Sequence, residues 1–123
     1  MKPFSVKERL QSFKYAWRGI RVAIWQEHNF RIHLLAALIV IVTGFYFEIS
    51  NTEWCWIVLA ICIVFTAELF NTAIEKLVDL KSPEFDPLAG KIKDIAAGAV
   101  LVSALSAAII GLLIFWPYIE DIS

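Results

Sequence analysis

Residues 95–119 form a run of 25 without a single Asp, Glu, Lys or Arg. A helix crosses the hydrocarbon core of a bilayer with about 20 mostly apolar residues, within a range of about 17–25. This run meets that length unaided. Residues 34–47 (LLAALIVIVTGFYF) are also uncharged, and they reach spanning length if residues 30–33 and Ile49 are recruited. Residues 54–67 carry no charge either, and the apolar pattern continues to Val78 with Glu68 and Glu75 inside it. The second span is therefore long enough only if its two glutamates lie in or near the membrane. Composition agrees: 59% of residues are apolar and 19% charged, against about 45–50% and about 25% in soluble domains. The mean hydropathy is +0.69. A disordered chain needs the opposite balance. The alternative is a soluble bundle of long buried helices, and charge-free runs of this length weigh against it.

Charge placement orients the spans. Lys2, Lys7, Arg9, Lys14, Arg18, Arg21 and Arg31 precede the first, and Lys76, Lys81, Lys91 and Lys93 lie between the second and third; these are all 11 basic residues. Basic residues stay cytoplasmic. The N-terminus and the loop 79–91 are thus expected inside, with the loop 48–53 and the C-terminus outside. The expected fold is all-α and integral to the membrane, a single unit over 1–123 with spans at about 30–49, 52–78 and 92–119. A net charge of −1 gives no basic signal for nucleic acid, and none is expected as a partner. Cys55 and Cys62 have neither metal-site nor disulfide-framework spacing.

The first 29 residues do not read as a signal peptide, because their basic stretch is too long and no short apolar core with a small-residue cleavage site follows. Val6, Leu10, Phe13, Trp17, Ile20 and Ile24 recur at spacings of three and four with basic residues mostly elsewhere. That pattern predicts an amphipathic helix lying on the cytoplasmic face of anionic lipid. Ser50-Asn51-Thr52-Glu53 reads as a capping box opening the second span. Ser82-Pro83 and Asp86-Pro87 each place a capping side chain before a proline suited to a first helical turn. The inner loop is expected to hold structured turns and a short helix through Gly90 to Lys93. The third span is rich in Ala, Gly and Ser, which lets membrane helices approach closely.

Chemistry concentrates in Glu68-Leu-Phe-Asn71-Thr-Ala-Ile-Glu75-Lys-Leu-Val-Asp79. At about 100° per residue, Glu68, Asn71, Glu75 and Asp79 share a stripe about 80° wide. Ionisable groups at bilayer depth are costly and mark functional sites. Asp79 also fits a plain interfacial residue, and Glu75 a partner for a loop lysine; Glu68 follows fourteen uncharged residues and is harder to dismiss. Carboxylates suit Mg²⁺, which takes few protein oxygens together with substrate phosphate, and a buried carboxylate can act as a general base. The lysines of the inner loop can neutralise phosphate. This is an inventory for phosphoryl transfer, although neither a P-loop nor the protein-kinase motifs are present. Before the first span, Glu27, His28 and His33 form a second polar group; each histidine reads as a switch, a ligand or, more commonly, an interfacial hydrogen-bonding residue. Glu27 is expected at the depth of Glu75, where the two can share a metal ion.

The pattern Glu68-x-x-Asn71-Thr-Ala-Ile-Glu75-x-x-x-Asp79 resembles the signature of the small bacterial membrane lipid kinases, the diacylglycerol kinase and undecaprenol kinase family. Ala16-Trp17-Arg18-Gly19, Glu27-x-x-Phe30-Arg31 and Ala89-Gly90-x-x-Lys93-Asp94 extend the resemblance over nearly the whole chain. It implies ATP and Mg²⁺ as cofactors, a membrane lipid as substrate, and a homotrimer in the bacterial inner membrane whose sites combine neighbouring protomers. By resemblance, Glu68 is the general base, with Asn71 orienting the cluster, and Glu27 and Glu75 hold Mg²⁺ with ATP. Lys93 and Asp94 match the nucleotide-binding pair, and Tyr15, Glu84, Phe85 and Asp86 the other nucleotide contacts. Asp79 is a signature residue with a structural or supporting role. His33 departs from the diacylglycerol enzymes of Gram-negative envelopes, which tend to carry an acidic residue there, and resembles the undecaprenol branch. A diacylglycerol kinase is the alternative within the family. Outside it stand a small membrane carrier with Glu68 as its ion site and a purely structural adaptor. A carrier needs a polar site reachable from both sides, whereas this stripe runs only inward from Glu68.

Overall fold

The computed structural model describes residues 1–123, and all regular structure is helical: α1 (Val6–Gln26), α2 (His28–Tyr46), α3 (Asn51–Lys81) and α4 (Pro87–Glu120). The last three are long and apolar enough to cross a membrane. Their starts follow from side chains that satisfy otherwise unpaired backbone N–H groups. Ser5 accepts from the Glu8 N–H to open α1. The capping box of α3 is present in both directions, with Ser50 N donating to Glu53 Oε1 at 3.0 Å and Glu53 N donating to Ser50 Oγ at 3.2 Å. Asp86 accepts from Leu88 N at 2.8 Å with Pro87 in the first turn of α4.

The turn between α2 and α3 closes as a Schellman motif. Ile49 N donates to Gly44 O and Glu48 N to Phe45 O, both at 3.2 Å. Glu48 takes the left-handed position with φ 51°, where a glycine would be easier. Gly44 is required by contact: a Cβ there would meet the Trp54 ring at 2.6 Å.

Three expectations about the inner segment are corrected. Ser82 does not open a helix; its backbone N–H donates to Val78 O at 2.7 Å and closes α3. Pro83 disfavours helical backbone in the residue before it, so the chain leaves the helix at that point. The segment expected as the loop 79–91 is helical at both ends, leaving only 82–86 outside helices. The short helix expected through Gly90 to Lys93 is the beginning of α4 itself. One glycine in a helix costs only about 1 kcal/mol, too little to break it.

α3 and α4 pack along their lengths as the main helix pair, with α2 resting on α3. The apolar core lies at one end, where Ile49, Ile57, Ile114 and Phe115 are buried together. Tyr118 Oη donates to Glu53 Oε1 at 2.5 Å and ties α4 to α3 there. Toward the other end of α3 the buried residues turn polar: Glu68, Asn71 and Thr72. With 31 and 34 residues at 1.5 Å each, α3 and α4 are about 46 and 51 Å long. A hydrocarbon core is about 30 Å thick, so both helices project beyond it.

Candidate active site

A core of about 30 Å accommodates about 20 residues of helix. A span beginning at the uncharged Trp54 would end near Ala73, with Glu68 inside it and Glu75 and Asp79 beyond it. Glu68 retains 2% of its exposure, Asn71 7% and Thr72 6%. They are buried because α2 and α4 both pack on this stretch of α3. Phe30 and His33, one turn apart on α2, meet Phe65 and Glu68, one turn apart on α3. The two rings stand 5.1 Å apart, and His33 Nε2 stands 3.1 Å from Glu68 Oε1. The imidazole approaches off the hydrogen-bond line, so Oε1 is within ion-pair distance yet has no hydrogen-bond donor.

Asn71 continues the cluster. Its Nδ2 donates to Glu75 Oε1 at 3.2 Å, while its Oδ1 is buried without a donor. Glu27 occupies the non-helical break between α1 and α2. It is brought toward α3 by its neighbour Gln26, whose Oε1 accepts from Lys76 Nζ at 2.9 Å. Glu68, Asn71 and Glu75 thus form one polar face of α3, and Gln26 holds the α1–α2 break that carries Glu27 against the same helix.

The other expected residues have different surroundings. Lys93 forms an ion pair with Asp79, joining the start of α4 to the end of α3. Asp94 is exposed one residue further on. Tyr15 is exposed on α1 beneath the Arg18 guanidinium, 5.4 Å from its ring centre. Glu84 and Phe85 are exposed in the loop, and Asp86 is the cap of α4. Within one chain these last four residues are not gathered onto the acidic cluster. The approach of His33 to Glu68 and the burial of Thr72 are additions that sequence reading did not supply. Thr72 was legible in principle, since it lies four residues after Glu68 and so on the same face. The His33 contact joins residues 35 positions apart, which no periodicity encodes.

The donor set is all oxygen on the acidic face, suited to a hard cation. No three His, Cys, Asp or Glu side chains converge as a self-contained metal cage. Mg²⁺ takes one or two carboxylates and completes its octahedron with water and substrate phosphate, and Glu75, fixed by Asn71, would supply one of them. The orphaned Asn71 Oδ1 offers an acceptor to such a water. Beside the cluster, α2, α3 and α4 enclose an apolar groove of about 760 Å³ lined by small residues such as Ala37, Ala104, Ala107 and Gly111, with His33 in its wall.

The profile of the prokaryotic diacylglycerol kinase family matches residues 14–115. The chain belongs to this family. It is 50% identical over 107 residues to undecaprenol kinase of Bacillus subtilis, covering 87% of each chain. It is 34% identical over 126 residues to diacylglycerol kinase of Helicobacter pylori, covering 97% of this chain and 91% of that one. It is 40% identical over 103 residues to diacylglycerol kinase of Synechocystis, spanning 59% of that protein's length. Family membership and three apolar spans make this a membrane protein.

Proposed function

We propose that this chain transfers the γ-phosphoryl group of ATP to the hydroxyl of undecaprenol, giving undecaprenyl phosphate, at the cytoplasmic face of the bacterial inner membrane. The observation that carries the reading is a carboxylate, Glu68, buried at 2% exposure inside an apolar span and next to Asn71 and Glu75. A lipid hydroxyl arrives from the bilayer side, and nucleotide phosphates arrive from the side where the helices leave it. Glu68 lies between them. It accepts the hydroxyl proton as the lipid oxygen bonds to phosphorus and ADP departs, the general-base role. Glu27 and Glu75 would hold Mg²⁺, with Asn71 fixing the Glu75 carboxylate, and Lys93 and Asp94 would contact the nucleotide with Tyr15 and the 84–86 turn. When bound, Mg²⁺ neutralises phosphate charge.

The remaining architecture follows the same reading. Val6, Leu10, Phe13 and Trp17 on α1 are 61–75% exposed, which suits an apolar face lying in the cytoplasmic headgroup layer with the basic face toward phosphate. The N-terminus is inside and the C-terminus outside, and three copies assemble so that neighbouring chains complete each nucleotide site.

Undecaprenol is preferred over diacylglycerol because the relative at 50% identity carries that name and because His33 matches that branch. Relatives at 34–40% identity named diacylglycerol kinase favour the second reading. Phosphate transfer from MgATP in mixed micelles, with a long-chain polyprenol and diacylglycerol side by side, separates the two. The expected result is strong preference for the polyprenol. Preference for diacylglycerol keeps the mechanism and overturns the substrate.

A further inference from the structure

We propose that His33 is the positioning residue for Glu68: its Nε2–H holds one carboxylate oxygen so that the other faces the lipid hydroxyl. The proposal rests on the kinase reading and goes beyond it, since it assigns a role to a side chain of α2 that touches neither phosphate nor metal. Four observations support it. His33 Nε2 is 3.1 Å from Glu68 Oε1, and no other basic side chain comes within ion-pair distance of that carboxylate. Glu68 is 2% exposed whereas the His33 side chain keeps 22%, so the imidazole is the member of the pair with access to its surroundings. Oε1 is buried and has no other donor, so the His33 ring N–H is the group placed to satisfy it. Finally, His33 also forms part of the wall of the apolar groove, so the same ring that touches Glu68 borders the path of a hydrocarbon chain.

The physical need is plain. A carboxylate free to rotate about its terminal torsion presents a lone pair to the hydroxyl only part of the time, and a buried charge without a partner is costly. A ring N–H on Oε1 answers both. Catalytic hydrogen bonds are often poorly aligned until substrate is bound, and the pair is expected to align then. The Phe30–Phe65 contact one turn away on each helix holds α2 and α3 at the separation the pair requires. Glu75, the next carboxylate along α3, is held by Asn71 Nδ2, so His33 is the basic side chain within ion-pair distance of Glu68.

The test is steady-state transfer to polyprenol in micelles by wild type, His33→Ala, His33→Gln, Glu68→Gln and the His33→Ala/Glu68→Gln pair, with oligomer size checked for each. The expected loss in kcat for His33→Ala is about 10–100-fold, the range for removing a group that orients another, with KM for ATP and lipid nearly unchanged. His33→Gln keeps a side-chain N–H and recovers most of the rate, and added imidazole restores part of it to His33→Ala. The double variant is no slower than Glu68→Gln alone, because both changes remove one function. Wild-type kcat in His33→Ala overturns the proposal while leaving the kinase reading intact. So does a loss confined to the lipid KM, or an equal loss in His33→Ala and His33→Gln. Absence of transfer by the wild type to both polyprenol and diacylglycerol overturns the kinase reading and this proposal with it.

Discussion

At the scale of single residues, the buried polar atoms set the terms. Burying a carboxylate costs several kcal/mol unless it is paired, and an amide oxygen left without a donor costs about 1–3 kcal/mol. Glu68 and Asn71 carry both burdens within one turn of α3. A helix built for packing alone would place Leu or Ala there. Asn71 is informative because it has two jobs: its Nδ2 fixes Glu75, and its Oδ1 is free for an incoming donor. If Glu75 holds Mg²⁺, Asn71→Ala should raise the Mg²⁺ concentration for half-maximal rate about 10–100-fold, the cost of losing an orienting partner of a metal ligand. A magnesium titration of transfer reads this directly, and an unchanged midpoint would argue against the role. The stripe of Glu68, Asn71, Glu75 and Asp79 was legible because helical periodicity alone puts those residues on one face. The partner of Glu68 was not, because it comes from another helix, and the same polar sequence around His33 serves an interfacial histidine equally well.

At the scale of elements, the helix starts were readable and one stop was not. Ser50 with Glu53, and Asp86 with Pro87, carry their capping chemistry within a few residues of sequence. Ser82-Pro83 has the same appearance, but the Ser82 N–H is already committed to Val78 O, a bond that only the helix before it supplies. Gly44 is likewise silent in sequence, because what forbids a side chain there is the ring of Trp54 on the next helix. That indole is itself packed on Phe45, with ring centres 4.9 Å apart, so it has little room to move aside. Gly44→Ala should therefore destabilise the α2–α3 hairpin by about 1–3 kcal/mol, the usual cost of overpacking. Thermal unfolding in detergent measures it: a lowered midpoint is expected, and an unchanged one would mean the α2–α3 turn is looser than its contacts indicate. Because the site lies at the opposite end of the bundle, kcat of the folded variant should stay near that of the wild type.

At the scale of the whole molecule, the chain is polarised from end to end. One end of the helix bundle is stitched by apolar packing and by Tyr118 on Glu53, and the other gathers the buried polar residues. The sequence showed this polarity through its basic residues, all 11 of which fall within residues 2–31 or 76–93. Assembly is less visible in one chain, since small residues on α4 permit close approach without specifying a partner. The exposed nucleotide-contact candidates Tyr15, Glu84, Phe85 and Asp94 make sense on the proposed trimer, where a neighbour supplies what one chain leaves apart. The account as a whole stands on the buried carboxylate as the base of a lipid kinase. Its most direct test is phosphoryl transfer from MgATP to polyprenol by Glu68→Gln, an isosteric change, against wild type of matched oligomer size. The expected loss is at least about 10²-fold in kcat, in the range for removing a general base, with the assembly and ATP affinity retained. Near-wild-type turnover by Glu68→Gln would contradict it.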